Sequence, residues 1–301
     1  MLSPTQPNPN PTAKNNQITH ENVDHVSVGY IDDVSHVVGL DTKEELEVYL
    51  EELYLLLEHM NHNKRLQING GKTQVLTIEN KREDDFKIRI KIDAATQVQE
   101  SETIKILGFI LNRRNTLDSH LNAVASKIGL ALSKLKPALS FMSSDLRKRI
   151  VTAKVKPIAT YGSQLVLGQS QNIIQRACAL IMRANRAMFT NIDGLRSTSA
   201  ICNKLKIDEP RQELVKACFS HIHKIIENKK PQQIVDKLKL PSRSSGKVYL
   251  KGGIRSVRSS KSHINAAIEL YNAIPADFRT LKHKKMKSKL KKVNIQYSVF
   301  K

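Results

Sequence analysis

Two adjacent carboxylates, Asp32-Asp33, stand between Val26, Val28 and Tyr30 on one side and Val34, Val37 and Val38 on the other. The pattern predicts two short strands joined by a tight acidic turn. Paired carboxylates at a turn repel unless a cation sits beside them. Their hard oxygens suit Mg²⁺, which binds through one or two carboxylates together with substrate phosphates. Two such ions can activate a 3′-hydroxyl and stabilise a departing pyrophosphate in phosphoryl transfer. Asp is also a favoured turn residue, so a solvated turn fits the dipeptide as well. Lys72, in Asn69-Gly70-Gly71-Lys72-Thr73, is the second chemically suggestive group. A Walker-type phosphate loop would need a Gly five positions before Gly71, where Leu66 stands, and a helix after Thr73, where a strand-like run follows. Lys72 therefore reads as a cation between strands, near the site of the Asp pair, or as a solvated turn lysine. His20, His25, His36, His59 and His62 show none of the short spacings of metal ligands. Cys178, Cys202 and Cys218 occur in no CxxC pair, which argues against a disulfide framework and a zinc ribbon.

The elements that must position these groups follow from periodicity. Residues 1–22 are Pro- and Asn-rich and predict a disordered leader. Thr42 with Glu45 forms a capping box, and Leu46, Leu50, Leu53, Leu57 and Met60 recur at helical spacing, predicting a helix to about residue 61. Strand-like runs follow over residues 66–78 (broken by Gly70-Gly71), 86–92 and 103–111. The order ββαβββ predicts a small antiparallel sheet with one covering helix. After Leu117 the pattern turns helical. The expected helices cover residues 120–136 (ending at Pro137), 144–155 (capped by Ser144), 172–188, 198–205 and 210–228. Residues 241–261 read as a Ser/Gly/basic linker, with short amphipathic helices near 263–273 and 281–293.

Charge divides the chain in the same places. Of the 301 residues, 49 are Lys or Arg and 28 Asp or Glu, a net charge of +21. Residues 21–100 carry a balance of −8, whereas residues 101–230 and 231–301 each carry +14. An acidic block beside basic ones points to two jobs, holding a cation and holding a phosphate backbone. A solvated charged surface is the plain alternative. The longest apolar run, over residues 53–57, is far short of the ~20 residues needed to cross a bilayer, so no membrane partner is expected. Residues 282–292 fit a nuclear import signal and equally a basic helix gripping phosphate, which leaves nucleus and cytoplasm both open.

Taken in order, these segments resemble the reverse transcriptase of LINE-type (non-LTR) retrotransposons. Gly29-Tyr30-Ile31-Asp32-Asp33-Val34 is similar to that family's aromatic-x-Asp-Asp palm hairpin. Leu66-Gln67-Ile68-Asn69 with Lys72-Thr73-Gln74-Val75-Leu76 resembles the next palm motif. Ile106-Leu107-Gly108-Phe109 resembles the Leu-Gly strand of the primer grip, with His120 just downstream. Pro157-Ile158-Ala159-Thr160-Tyr161-Gly162 is similar to the Pro-x-x-x-Tyr-Gly segment of the thumb, and Ile174-Gln175-Arg176 with Ile181-Met182 to the helix that follows it. Leu270-Tyr271-Asn272-Ala273-Ile274-Pro275 resembles the C-terminal Leu-Tyr-Asn-x-Leu-Pro stretch.

The resemblance implies an α+β chain: a truncated polymerase palm, an antiparallel sheet with one covering helix, followed by an all-helical basic thumb and C-terminal region. Its expected divisions are the leader (1–22), a partial palm (23–114), thumb helices (115–168), a further helical region (169–240), and a basic linker with C-terminal helices (241–301). It implies RNA-directed DNA polymerase ancestry, with an RNA template and DNA primer as partners and Mg²⁺ held by Asp32 and Asp33. Lys72 would lie near the triphosphate, and Leu107, Gly108 and Phe109 under the primer end. Lys127, Lys134, Arg147, Lys148, Lys154, Lys156 and Arg176 are the cations expected to meet nucleic acid. Tyr30, Phe109 and Tyr161 could stack on bases, though single aromatics beside strands are commonly core. The family places fingers and a first palm Asp ahead of the hairpin, and the Pro/Asn-rich residues before it offer no counterpart. Ile31 stands where a small residue is usual. The chain alone is therefore expected not to polymerise. A non-catalytic nucleic-acid-binding remnant or recruited protein is the alternative; a helical protein-interaction bundle would rest only on apolar stripes that ordinary core explains.

Overall fold

The computed structural model describes residues 24–30, 33–63, 68–78, 88–91, 97–189, 196–241, 246–251, 263–291 and 293. Asp32, the expected leader and most of the expected linker lie outside them, and the side chains of Tyr30 and Asp33 are likewise not described. The chain is α+β and divides into two units, residues 1–106 and 107–301.

In the first unit, β1 (Asp24–Tyr30) pairs antiparallel with β2 (Asp33–Gly39), and Tyr30 stands opposite Asp33. The β-branched residues predicted this hairpin. Helix α1 (Lys43–Asn63) starts where the Thr42 hydroxyl accepts the Glu45 N–H at 3.2 Å. Its buried Tyr54 clusters with Val98, Ile68 and Val75, in line with a covering helix, and its acidic side chains add a second role. Glu47 and Glu51, one turn apart, accept the backbone N–H groups of Arg89 (2.7 Å) and Lys91 (3.1 Å), closing the outer edge of β3 (Arg89–Lys91). An edge strand so covered has no donors left on that side for a second chain. β3 pairs antiparallel with β4 (Gln97–Gln99), which the sequence pattern did not reveal; Ile90 and Val98 face inward between polar neighbours.

Residues 68–78, the described part of the run over 66–78, do not form the expected strand. Gly70–Lys72 make one 3₁₀ turn, and Val75 alone bridges to Glu100, in parallel. Two glycines gain little from an extended ladder and lose most entropy there, so the run breaks. β1 with β2 and β3 with β4 thus form separate two-stranded sheets, rather than the single sheet expected. The Glu100 carboxylate bonds the Thr77 hydroxyl and the Ile88 N–H. Part of the acidic excess is therefore committed to backbone and hydroxyl donors. β5 (Thr103–Ile106) closes the unit.

The second unit opens with β6 (Phe109–Asn112) and is otherwise almost wholly helical. Helix α2 (Asp118–Leu139) runs past Pro137 instead of stopping before it. A proline so near the C-terminus forfeits a single hydrogen bond and leaves only two residues beyond it. Ser143, not Ser144, caps α3 (Ser144–Ile150), accepting the Leu146 N–H. A π turn, Val151–Val155, leads into α4 (Lys156–Ala159), with Lys156 N–H bonded to the Val151 carbonyl. The wide turn lets the helix pass Pro157, which cannot donate and would crowd the carbonyl four residues back. A 3₁₀ segment (Ser163–Gly168), α5 (Gln171–Arg186), α6 (Thr198–Leu205), α7 (Pro210–Asn228) and α8 (Gln232–Val235) follow. β7 (Leu238–Lys239) pairs antiparallel with β8 (Tyr249–Leu250), so the expected linker contributes one strand of a two-stranded sheet. The chain continues with α9 (His263–Ala273), α10 (Ala276–Arg279) and α11 (His283–Leu290); α11 falls within the helix expected over 281–293, and α10 is a further short helix ahead of it. Ile128, Val151, Val155, Ile181, Leu214, Phe219, Ile222, Leu270 and Met286 lie in one core that joins α2 to α11. Among the described residues no helix is long and apolar enough to cross a membrane.

Candidate functional site

The hairpin register sets Asp33 directly across from Tyr30, at the start of β2, and Asp32 lies outside the described residues. Lys72 is exposed at the end of its 3₁₀ turn, with its N–H on the Asn69 carbonyl at 3.0 Å. Among the described residues no three His, Cys, Asp or Glu side chains form a group suited to a metal ion.

The second unit assembles three segments distant in sequence. Leu107 and Gly108 both have positive φ, +48° and +85°, the signature of a tight type I′ turn. Residues 103–111 are therefore not one strand; a turn divides them. A left-handed Leu costs roughly 1–2 kcal/mol and needs an external hold. The Tyr161 hydroxyl supplies one, donating to the Leu107 carbonyl at 2.5 Å. Phe109 stacks on His120 with ring centroids 4.2 Å apart. His120 takes the Ile110 N–H on Nδ1 (3.4 Å) and offers Nε2 to the Tyr161 carbonyl (3.2 Å). Only the neutral, Nε2-protonated ring satisfies both partners. Burial pushes the His120 pKa below its ordinary value, and the Lys127 cation adds to this against the Tyr161 carbonyl bond.

Gly162 completes the cluster. Its φ is +75°, and a Cβ there would come within 2.8 Å of Phe109 Cε2 and 3.2 Å of His120 Nε2. The Leu107-Gly108-Phe109 turn, His120 and Tyr161-Gly162 thus form one small platform, with Leu107 and Tyr161 about half exposed. Tyr161 is fixed at its hydroxyl, and Phe109 presents one face to His120.

The predicted cations divide by environment. Lys127 and Lys134 are exposed on one stripe of α2, seven residues or about 10 Å apart. Lys154 is exposed on the π turn. Lys148 is exposed and donates to the Leu205 carbonyl at 3.0 Å; with Asp145, Arg149 and Thr152 it lines a hollow of ≈ 560 Å³ beside α3. Three expected nucleic-acid cations are otherwise engaged. Arg147 is buried, and its guanidinium donates to the Leu139 and Met142 carbonyls, closing the C-terminus of α2. Lys156 pairs with Glu213 of α7 at 2.8 Å. Arg176 pairs with Asp118 and also donates to Asn122 Oδ1 at 2.6 Å, tying α5 to α2. The structure adds exposed Arg149, Arg183 and Arg186. The last two share a face of α5 with Arg176, at helical spacings that are visible in the sequence itself.

Comparisons with protein-family models, with curated proteins and with solved structures found no match.

Proposed function

We propose that the chain is the C-terminal portion of a LINE-type reverse transcriptase, the end of the palm, the thumb and a basic helical region, and that its helical unit holds nucleic acid. The observation that carries this reading is the platform of Leu107, Gly108, Phe109, His120, Tyr161 and Gly162. Three motifs of the resemblance that lie far apart in sequence meet there through hydrogen bonds and ring contacts. In this reading the exposed turn at Leu107-Gly108 lies under a primer end, while Lys127, Lys134, Lys148 and Lys154 face phosphates. Asp32 and Asp33 would hold Mg²⁺, whose chemistry is activation of the primer hydroxyl and stabilisation of pyrophosphate, with Lys72 near the triphosphate. The Mg²⁺ assignment rests on carboxylate chemistry and the resemblance alone.

A binding-only role, without polymerisation, is favoured as the second reading by the exposed cations, which need no catalytic centre. The deciding measurement is filter binding of the full chain to an RNA–DNA primer–template over a salt series, beside a primer-extension assay. Both readings expect affinity to fall by about 0.9 log units per log of salt for each phosphate neutralised on a duplex. A flat response, or no binding near about 50 mM salt, removes both. They part on extension. The polymerase reading expects extension when fingers and first-palm segments of that family are added in trans, and Asp32→Ala to abolish it. No extension even then leaves the binding-only role.

A further inference from the structure

The β1–β2 hairpin carries a second cluster, independent of the proposed function. His25 and His36 lie eleven residues apart in sequence, but Ser27 stands opposite His36 in the hairpin register, and His25 lies on the same face. The three side chains converge on one point. His25 Nε2 is 3.0 Å from His36 Nδ1, and the Ser27 oxygen is 3.0 Å from the first and 2.9 Å from the second. On the far side of the His25 ring, Nδ1 meets the Tyr49 hydroxyl of α1 at 2.9 Å, with the two rings edge to face.

The three polar atoms stand in a near-equilateral triangle, and which of them carry protons depends on the His25 tautomer that faces Tyr49. If His25 Nδ1–H donates to Tyr49, the lone pairs of His25 Nε2 and of the neutral Nε2-protonated His36 face each other, and the single Ser27 proton serves only one of them. A cation above the triangle satisfies all three. Ligand atoms around a tetrahedral ion at 2.0–2.1 Å stand about 3.3 Å apart, so the triangle needs to open by only about 0.3 Å per edge. We propose that His25 Nε2, His36 Nδ1 and Ser27 Oγ form a binding site for a divalent transition-metal ion of the Zn²⁺, Ni²⁺ or Cu²⁺ class, with solvent completing the coordination. Imidazole nitrogens select these ions over Mg²⁺, which prefers oxygen. Tyr49 is the positioning residue: its bond to Nδ1 orients the ring and leaves Nε2 as the ligand, as outer partners of metal-bound histidines do.

The test is Zn²⁺ uptake by the full chain in equilibrium dialysis, paired with Cu²⁺ electron paramagnetic resonance. Expected are uptake of about one ion per chain and nitrogen hyperfine structure from two imidazoles. His25→Ala and His36→Ala should abolish this uptake, and Tyr49→Phe should weaken it by roughly tenfold or more. His59→Ala should leave it unchanged. Circular dichroism reports whether each variant is folded; if the histidine variants unfold, the two-nitrogen Cu²⁺ signal of the unmodified chain and the Tyr49→Phe affinity decide. No uptake by the unmodified chain, uptake unchanged in a folded His25→Ala/His36→Ala variant, a Cu²⁺ signal without two nitrogens, or a Tyr49→Phe affinity equal to that of the unmodified chain overturns the site.

Discussion

Gly162 sits where backbone and space both exclude a side chain. Its φ of +75° disfavours any L residue, and an added Cβ would meet Phe109 at 2.8 Å, with the stacked His120 ring just behind. Gly162→Ala is expected to cost roughly 2 kcal/mol or more, lowering the melting temperature of the full chain by about 4 °C or more, measured calorimetrically. Gly29→Ala is the control, since nothing lies within 4 Å of its added carbon. His120 makes a separable prediction about pH. Its folded pKa lies below the ordinary 6.5, so the unfolded chain binds more protons as the solution is acidified. Stability from this group is complete above the unfolded value and is lost as pH falls from there through the folded one. His223 and His263, lowered chiefly by burial, act in the same direction. Denaturant titrations should therefore show stability falling as the medium is acidified below about pH 6.5, with a shallower fall in His120→Gln.

At the scale of elements, local signals set boundaries well wherever a cap or a proline acts alone. α6, α7 and α9 have the bounds the sequence predicts: Ser197 accepts the Ala200 N–H at 3.1 Å, Pro210 opens α7, and Lys206 and Lys229 leave their helices in the left-handed conformation. The signals mislead where two of them compete. Ser143 and Ser144 are both able to cap, and only the extended backbone of Ser143 selects it. The apolar run over residues 103–111 hides a turn because Leu is an unusual residue at positive φ, and its hold comes from Tyr161, 54 positions away. Arg147 shows the same limit. Its charge reads as a phosphate ligand, yet its place one turn into α3 aims it at the end of α2. Arg147→Gln is expected to lower stability by roughly 2–3 kcal/mol in chemical denaturation, because it removes charged donors from two carbonyls in a buried setting. Nucleic-acid affinity, measured under conditions where the variant is folded, should stay within about twofold.

Over the whole molecule, charge is legible in the sequence but its deployment is not. The −8 of residues 21–100 reads as a cation site, whereas Glu47, Glu51 and Glu100 accept donors around β3 and Thr77. The +28 of residues 101–301 reads as one basic surface, whereas Lys156, Arg176 and Lys216 are matched with Glu213, Asp118 and Asp208 inside the helical unit. Pairing across long sequence separations decides this, and composition carries no trace of it. Likewise, the meeting of His25 with His36 depends on hairpin register, not on spacing along the chain. The division between engaged and exposed cations can be read directly in a salt series. Replacing Lys127, Lys134 and Lys154 together by Gln should leave the core intact, since all three are exposed, while withdrawing their charge from the phosphate backbone. The slope of log affinity against log salt on a duplex should then become shallower by about 0.9 for each phosphate that is no longer neutralised. Lys156→Gln should behave in the opposite way. It leaves Glu213, whose pKa burial already raises, without its partner, so stability falls while the salt slope is unchanged. A triple variant with the unmodified slope would place the nucleic acid on another face, with Arg149, Arg183 and Arg186 the next cations to replace.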